Sequence, residues 1–201
     1  MTIHERLEAF WSGEKPDRIP YTIYYNEWRH TQNDPAWAPM FEAGLGVTYH
    51  IPVIKTIRKD VESKSVAFSE KGRNYVKSSI TTPVGEIYTI EEDGWTQKYW
   101  LETKEDYKVM TYIAKNTQYK PDYETFLAKD KKIKPYGVAL VAAGRTPMQT
   151  ILVDYVGLEN FSYHLFDFAD ELAELYEALL EGFAERVKII AEGPGRFVSV
   201  L

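Results

Sequence analysis

The chain has 201 residues, of which 44% are hydrophobic and 27% are charged, and these values indicate a folded globular protein rather than a disordered one. Its net charge of −6 disfavours nucleic acid as a main partner, because phosphate binding needs a concentrated basic surface. The absence of cysteine excludes disulfides and thiolate ligands, and no apolar run approaches the roughly 20 residues of a membrane span. The polar first residues do not resemble a signal peptide, so we expect a cytoplasmic protein.

The first segment of the chain predicts a helix that leads into a strand. Thr2 and Glu5 have the spacing of a capping box, and apolar residues then recur at helical spacing up to about Ser12. A turn-rich connector follows, and the β-branched and aromatic residues at 19–25 predict the first strand. A second strand is predicted for residues 47–54.

Residues 56–100 have a different pattern, which predicts an antiparallel β-meander. Polar and apolar residues alternate in four stretches. Turn-forming pairs such as Lys71-Gly72 and Asp93-Gly94 separate these stretches, as expected for hairpins. We interpret this region as an insertion of three or four strands.

Helices and two further strands are predicted in the rest of the chain. Helices are expected from residue 103 to about 118 and from 121 to about 132. Residues 136–142 form a continuous run of small apolar side chains, which is typical of a strand buried on both faces of a parallel sheet. Further helical segments follow, the longest from about residue 169, and residues 197–201 repeat the buried-strand pattern.

Strands that alternate with helices indicate a parallel sheet with helical crossovers. We count about four barrel-type strands, whereas a complete (β/α)8 barrel has eight strands and typically about 250 residues. We therefore expect an α/β fold in which residues 1–201 form a single domain, the N-terminal part of a TIM barrel with the meander inserted. An open four-stranded α/β sheet that is complete in itself is the alternative.

Both architectures carry their chemistry at the carboxyl ends of the parallel strands. Residues 26–39 are interpreted as a loop with a short helix near its end, and there we predict Glu27, Arg29 and His30 as catalytic residues. They combine a base, an anion clamp and a proton shuttle, although an ordinary charged loop is the alternative. His50 is predicted to bind substrate after the second strand, and the alternative is a hydrogen-bonded structural histidine.

Arg145 and Gln149 are predicted to bind substrate at the start of the helix that follows the third buried strand. A guanidinium and the free N–H groups of a helix start favour an anion. The alternative is a tight turn in which Arg145 is paired with another protein group. The chain has no His-x-x-x-His pattern and no cysteine, so we predict no metal site formed by this chain alone.

Several segments together resemble the uroporphyrinogen decarboxylase superfamily. Residues 5–20 contain a helix and a Gly-x-x-Pro-Asp-Arg-x-Pro connector that are similar to the opening of these proteins. Thr82-Pro83-Val84-Gly85-Glu86 resembles a Thr-Pro-x-Gly turn of the branch that includes the corrinoid-linked methyltransferases. Lys104-Glu105-Asp106-Tyr107 and Pro121-Asp122-Tyr123 resemble the helix openings that follow that turn, so the resemblance covers nearly the whole chain in order.

The resemblance implies the N-terminal half of a (β/α)8 barrel with a cleft at its carboxyl face. It implies either decarboxylation of the acetate arms of a porphyrinogen or methyl transfer to and from corrinoid or thiol carriers. The decarboxylases have a Met-Arg-Gln-Ala-Gly-Arg segment after the first strand, whereas residues 25–32 contain only Arg29, and one guanidinium is poorly suited to a polycarboxylate. This departure favours methyl transfer.

The methyltransferases hold zinc with a His-x-Cys unit and a later Cys in the second half of the barrel. No cofactor is therefore expected in this chain, whereas zinc and a corrinoid protein partner are expected in a fuller form. Two alternatives to an enzyme stay open. One is a non-catalytic half-barrel module whose exposed sheet edge promotes homo-oligomers, and the other is a truncated product without activity.

Overall fold

A computed structural model describes residues 1–200, and Leu201 lies outside the described residues. The fold is mixed α/β, with a four-stranded parallel sheet, a four-stranded antiparallel sheet and a two-stranded sheet. The chain forms two compact units, described separately below. The first unit comprises Met1–Lys55, Pro121–Gly144 and the residues from Lys188 onward, and the second comprises Thr56–Lys120 and Arg145–Val187.

The helices are α1 (Ile3–Trp11), α2 (Tyr25–Thr31), α3 (Ala38–Glu42), α4 (Lys104–Lys115), α5 (Tyr123–Ile133), α6 (Pro147–Gln149), α7 (Leu158–Asp167) and α8 (Ala169–Ala191), with a π-helical segment at Thr150–Val156. The strands are β1 (Thr22–Tyr24), β2 (Gly46–Ile51), β3 (Ile54–Arg58), β4 (Glu62–Glu70), β5 (Arg73–Thr82), β6 (Gly85–Glu92), β7 (Trp95–Lys98), β8 (Thr117–Pro121), β9 (Gly137–Gly144) and β10 (Val198–Val200).

The parallel sheet of the first unit has the strand order β1-β2-β9-β10, so its strands lie side by side in chain order. Doubly wound sheets reverse their order near the middle, whereas consecutive strands of a barrel do not. The predicted parallel α/β sheet is confirmed, and within residues 1–200 it does not close into a barrel.

Helices cover one face of this sheet. Side chains alternate between the two faces of a strand, and Val47, Tyr49 and Ile51 of β2 point to the helix-covered face. The core on this face is formed with α2, α5 and the end of α8. Its buried members are Val47, Ile51, Val53, Phe126, Ile133, Ala139, Val141, Ala143 and Ile190.

Helix α1 packs on the opposite face of the sheet. Leu7 contacts Val138 and Leu140, which are the residues of β9 that alternate with those in the main core. The ring of Trp11, at the end of α1, lies 6.0 Å from the ring of Phe197. The helix therefore covers one part of this face.

The start of α1 and its connector match the sequence predictions in detail. Thr2 and Glu5 form the predicted capping box. The buried guanidinium of Arg6 donates two hydrogen bonds to the Asp17 carboxylate, at 2.6 and 3.0 Å. Arg6 thereby holds the pKa of the Asp17 carboxyl well below its usual range. The Pro-Asp-Arg segment is thus tied to the helix that precedes it.

The antiparallel sheet of the second unit confirms the predicted meander. Its order is β4-β5-β6-β7, and each neighbouring pair is antiparallel. The turns Lys71-Gly72 and Asp93-Gly94 both have positive φ at both residues, as hairpin turns of type I′ require. The hydrophobic core of this unit includes Ile87 of the meander, together with side chains from α4 and α8.

Three local expectations were wrong. Residues 26–39 were predicted mainly as a loop, but α2 begins at Tyr25, directly after β1. The second strand ends at Ile51 instead of residue 54, and a separate strand, β3, begins at Ile54 beyond Pro52. The helix predicted to reach residue 118 ends at Lys115, because the following residues form β8 and pair with β3.

Candidate functional site

The carboxyl ends of β1 and β2 bring Tyr24 and His50 together in the first unit. Tyr24 is the last residue of β1 and pairs with Thr48 of β2. His50 lies two residues further along β2, so it faces the same side of the sheet as Thr48. The rings of Tyr24 and His50 are 5.6 Å apart. This face is opposite to the face that the helices cover.

These side chains line an open cleft of about 370 Å³. The volume falls within the lower range of small-molecule sites, which is about 300–1,000 Å³. Its polar and aromatic lining comes from α1 and from three strands, with Leu140 of β9 as an apolar floor. The lining residues with chemical function are Trp11, Thr22, Tyr24, Thr48, His50 and Ser199.

His50 is the only residue among those six whose side chain is of the type that most commonly serves as a general acid or base. Its side chain is half-buried, and the hydroxyl groups of Thr22, Thr48 and Ser199 line the same cleft. Thr48 donates a long hydrogen bond of 3.4 Å to the carbonyl of Ile23. The arrangement can stack a flat ligand on Trp11 or Tyr24, donate hydrogen bonds to it and exchange a proton through the imidazole.

His50 was predicted to follow the second strand, but it lies inside β2 as the last residue but one. The strand ends at Ile51, since Pro52 cannot donate a backbone hydrogen bond to the sheet. This position places the imidazole in the cleft. The structure therefore combines His50 with residues that were not predicted as site residues.

Glu27, Arg29 and His30 lie on α2, not in a loop, and their side chains are exposed. Residues three apart share a helix face, so Glu27 and His30 are neighbours, whereas Arg29 projects from another side. Among residues 1–200, no hydrogen bond or ion pair of these three side chains is found, and none of them lines the cleft. The expected compact catalytic group is therefore only partly assembled.

Arg145 and Gln149 belong to the second unit, and both have protein partners there. The guanidinium of Arg145 donates to both carboxylate oxygens of Asp154, at 3.0 and 3.3 Å. Gln149 completes a capping box with Thr146 at the start of α6. These contacts correspond to the alternative of a tight turn with a paired arginine. The predicted substrate-binding roles of both residues stay predictions.

Trp11, Tyr24 and Ser199 are residues of the cleft that the sequence reasoning missed. For Tyr24 a signal was present, because it is the last strand residue on the face that also carries Thr22. Trp11 was assigned only to a helix end, and Ser199 only to a buried strand. Both reach the cleft through packing between segments almost 190 residues apart, which no local pattern reports.

A second buried polar pair lies in the core of the second unit. The hydroxyl group of Tyr107 in α4 is 2.9 Å from Nδ1 of His164 in α7. His164 also packs against the ring of Phe168, at 4.7 Å between centroids. Burial lowers the pKa of His164 and raises that of Tyr107, so both groups are neutral near pH 7. We interpret this pair as a structural element of the core.

The zinc expected for a fuller form stays a prediction, because its ligands are expected outside the described residues. Among residues 1–200, no group of three or more His, Asp or Glu side chains could hold a metal ion, and the chain has no cysteine. No helix in this part of the chain is both long and apolar enough to cross a membrane.

Comparisons with known proteins gave no relatives for this chain. No model of a protein family matches it, and no curated protein or solved structure does so. The assignment of function therefore depends on the geometry of the cleft and on the resemblance of the sequence motifs.

Proposed function

We propose that this chain contributes the substrate-facing sheet of a uroporphyrinogen decarboxylase-like barrel enzyme that acts on a tetrapyrrole or on a methyl group linked to a corrinoid. The observation that carries the proposal is the parallel sheet in chain order, with helices on one face and an open polar cleft on the other. In (β/α)8 barrels the chemistry lies at the carboxyl ends of the strands, where Tyr24 and His50 lie here.

The lining of the cleft suits one side of a flat macrocycle. Trp11 and Tyr24 provide aromatic surfaces, on which planar ligands stack with an offset. The hydroxyl groups of Thr22 and Ser199 supply donors that do not require a charged ligand, whereas the Thr48 hydroxyl already donates to the carbonyl of Ile23 and can accept a hydrogen bond. In this arrangement the imidazole of His50 is the group that donates a proton to the substrate or accepts one from it.

The charge of the cleft distinguishes porphyrinogen decarboxylation from corrinoid-linked methyl transfer. Among the residues that line it there is no arginine and no lysine. Decarboxylation of acetate arms needs cations that hold several carboxylates, and bidentate guanidinium groups are the usual solution. A cleft with one imidazole, three aliphatic hydroxyl groups and one phenol therefore favours corrinoid-linked methyl transfer over porphyrinogen decarboxylation.

Binding of two stable probes by the purified chain tests this proposal. Uroporphyrin I represents the polycarboxylate macrocycle and is followed by its fluorescence anisotropy, and hydroxocobalamin represents the corrinoid and is followed by its absorbance. We expect saturable binding of hydroxocobalamin, weaker binding of uroporphyrin I, and about tenfold weaker hydroxocobalamin binding by His50→Gln, which is the effect of losing about 1.4 kcal/mol.

His30→Gln is the matched variant for this test, because it makes the same change on the exposed surface of α2. If His30→Gln weakens binding and His50→Gln does not, the site is on α2 and the cleft assignment is wrong. If neither macrocycle binds, the proposed substrate class is wrong. Preferential binding of uroporphyrin I would favour decarboxylation instead.

A specific observation also supports self-association as a second candidate function. β1 and β10 are the two edges of the parallel sheet among the described strands, and edge strands with free backbone groups promote pairing with another chain. Val198 and Val200 of β10 are both about half exposed. We propose that a second copy pairs with this edge.

Sedimentation velocity of the purified chain tests this candidate. We expect a dimer that dissociates when Val198 and Val200 are replaced by lysine, because charges on an edge strand oppose pairing. Leu180→Lys provides the control, since Leu180 is an exposed apolar residue of α8. A chain that is monomeric at all concentrations contradicts the candidate.

A further inference from the structure

A second cleft in the first unit lies at the opposite ends of the same strands. Its volume is about 540 Å³, and Leu45, Val47 and Tyr136 line it next to the first residues of β2 and β9. Residues of α2 and α3 complete the lining. This cleft is separate from the one that contains His50, and no residue lines both.

Three aromatic side chains form much of the wall of this second cleft. They are Trp28 of α2, Phe41 of α3 and Tyr136, which precedes β9. The rings of Trp28 and Tyr136 are 5.0 Å apart and inclined by 41°, so they form adjoining walls rather than a stacked pair. Trp28 also packs on Tyr25 at 5.7 Å, which supports its position.

Glu42 is the only charged residue that lines the second cleft. Among residues 1–200 its carboxylate has no ion pair or hydrogen bond, and no lysine, arginine or histidine lines the cleft. The remaining polar groups are the amides of Gln32 and Asn33, which can accept as well as donate hydrogen bonds. The Glu42 side chain is exposed, so its carboxylate is accessible to a positively charged ligand in the cleft.

We propose that the second cleft binds a small organic cation, with an alkylated ammonium group held against Trp28, Phe41 and Tyr136 and paired with the Glu42 carboxylate. The faces of aromatic rings carry negative charge and attract cations, most strongly for Trp. An alkylated ammonium sheds its water more easily than a primary amine, so it suits a wall with three rings. The amides of Gln32 and Asn33 accept a hydroxyl or N–H group elsewhere on the ligand.

This inference does not depend on the proposed function. It concerns different residues, at the opposite end of the strands, and its probe is not a macrocycle. Loss of hydroxocobalamin binding in His50→Gln and loss of cation binding in Glu42→Gln are therefore separate results.

Choline and 3,3-dimethyl-1-butanol provide a matched pair of probes, because the second molecule has the same shape without the charge. Each is titrated into the isotopically labelled chain, and the indole N–H signal of Trp28 is followed by NMR. We expect choline to bind about tenfold more tightly than the neutral alcohol, since a cation held by aromatic rings and a carboxylate has an advantage of this order.

Two variants test the contributions of Glu42 and Tyr136 to choline binding. Glu42→Gln should reduce choline affinity at least about fivefold and leave the affinity for the neutral alcohol unchanged, because only the Coulomb attraction is removed. Tyr136→Leu should weaken choline binding through loss of one aromatic wall, and this residue is about half exposed, so the fold tolerates the change. Glu14→Gln removes an exposed carboxylate outside the cleft and is the control.

Equal affinity for choline and the alcohol would overturn the proposal, as would unchanged choline binding in Glu42→Gln. Absence of any shift of the Trp28 signal with either probe would also overturn it. Thermal unfolding of each variant, followed by circular dichroism, verifies that a loss of binding is not a loss of fold.

Discussion

The parallel sheet of the first unit and the antiparallel meander of the second differ in where their structural information lies. Hairpin turns a few residues long specify the meander, and positive φ angles at Lys71-Gly72 and Asp93-Gly94 are their local cause. The strands of the parallel sheet come from segments farther apart in the chain, and β2 pairs with β9 across 90 residues, as Val47 pairs with Gly137. Their register depends on tertiary packing, because no turn connects them directly.

This difference also applies to the candidate sites. Both proposed clefts lie at ends of the parallel strands, where side chains from distant segments meet. The carboxyl ends, where the cleft that contains His50 lies, are the usual position of ligand sites in α/β folds. The meander, in contrast, supplies a local scaffold, and none of the predicted site residues lies in it.

The largest loss of stability is expected for substitution of Gly137 in the parallel sheet, in comparison with Gly72 in the meander. Gly137 pairs directly with Val47, and a Cβ at this position would overlap with the Val47 backbone. Because neither backbone can move without breaking the sheet, Gly137→Ala should lower the free energy of unfolding by about 3 kcal/mol. Urea unfolding followed by far-ultraviolet circular dichroism measures the change.

Gly72→Ala is the matched change in the meander. Space is available at Gly72 for a Cβ, so Gly72→Ala is unfavourable only because φ is +80° at this residue. We therefore expect it to lower the free energy of unfolding by about 1 kcal/mol. If Gly137→Ala is as mild as Gly72→Ala, the close approach of β2 and β9 is not required for the parallel sheet.

The sequence predicted the locally determined parts of the fold better than the parts that depend on distant segments. The meander, the capping box at Thr2 and the helix that starts after Thr103 were predicted from nearby residues and are confirmed. Helix α2 was missed because Asn26 and its aromatic neighbours have low helix propensity. It is stabilised by tertiary contacts, including the stacking of Tyr25 on Tyr49 at 3.7 Å. Strand β8 was missed because its partner β3 lies about 60 residues earlier.

The candidate site was predictable only at His50. The strand was predicted to extend to residue 54, and its end at Ile51 is what places His50 at the strand end, on the same face as Thr48. Ser199 and Trp11 required knowledge that β10 pairs with β9 and that α1 packs on the face of the sheet that carries the cleft. The group Glu27, Arg29 and His30 was dense in sequence, but a helix distributes neighbouring residues around its axis and so separates Arg29 from the other two.

A second prediction concerns the buried pair in the second unit. Tyr107→Phe keeps the ring but leaves Nδ1 of His164 without its partner at 2.9 Å. A buried polar group that loses its hydrogen-bond partner costs about 1–3 kcal/mol, and we expect a loss of stability in this range by urea unfolding. Tyr163→Phe in α7 is the control, because Tyr163 is exposed and its change should have no measurable effect. Equal stability of both variants contradicts a structural role of the pair.

The same pair predicts a dependence of stability on pH. Burial lowers the pKa of His164 below its ordinary value of 6.5, so the unfolded chain binds more protons between these two values. The contribution of His164 is therefore complete above pH 6.5 and is lost as the pH falls towards the folded pKa. His164→Gln should remove this loss. The first unit differs, because the lowered pKa of Asp17 makes its contribution disappear only below its ordinary value of 3.8.

Measuring the free energy of unfolding between about pH 7.5 and about pH 4.5, one unit above and two units below the ordinary histidine pKa of 6.5, separates these two effects. A wild-type chain whose stability does not fall in this window, or a His164→Gln variant that falls just as steeply, contradicts the assignment to His164.

The smallest expected effects compare one helix start in each unit. Thr2 and Thr103 both accept a hydrogen bond from a backbone N–H three residues later and are both exposed. Replacing either threonine by alanine should cost about 1 kcal/mol, which is the usual value for an N-cap hydroxyl. Because each cap is a local interaction, the two losses should be nearly equal and should add in the double variant, in contrast to the unequal losses at Gly137 and Gly72. A double variant that loses clearly more stability than the sum of the two single losses would show that the two helix starts are coupled. In that case the stability of the second unit would depend less on local sequence than its meander suggests.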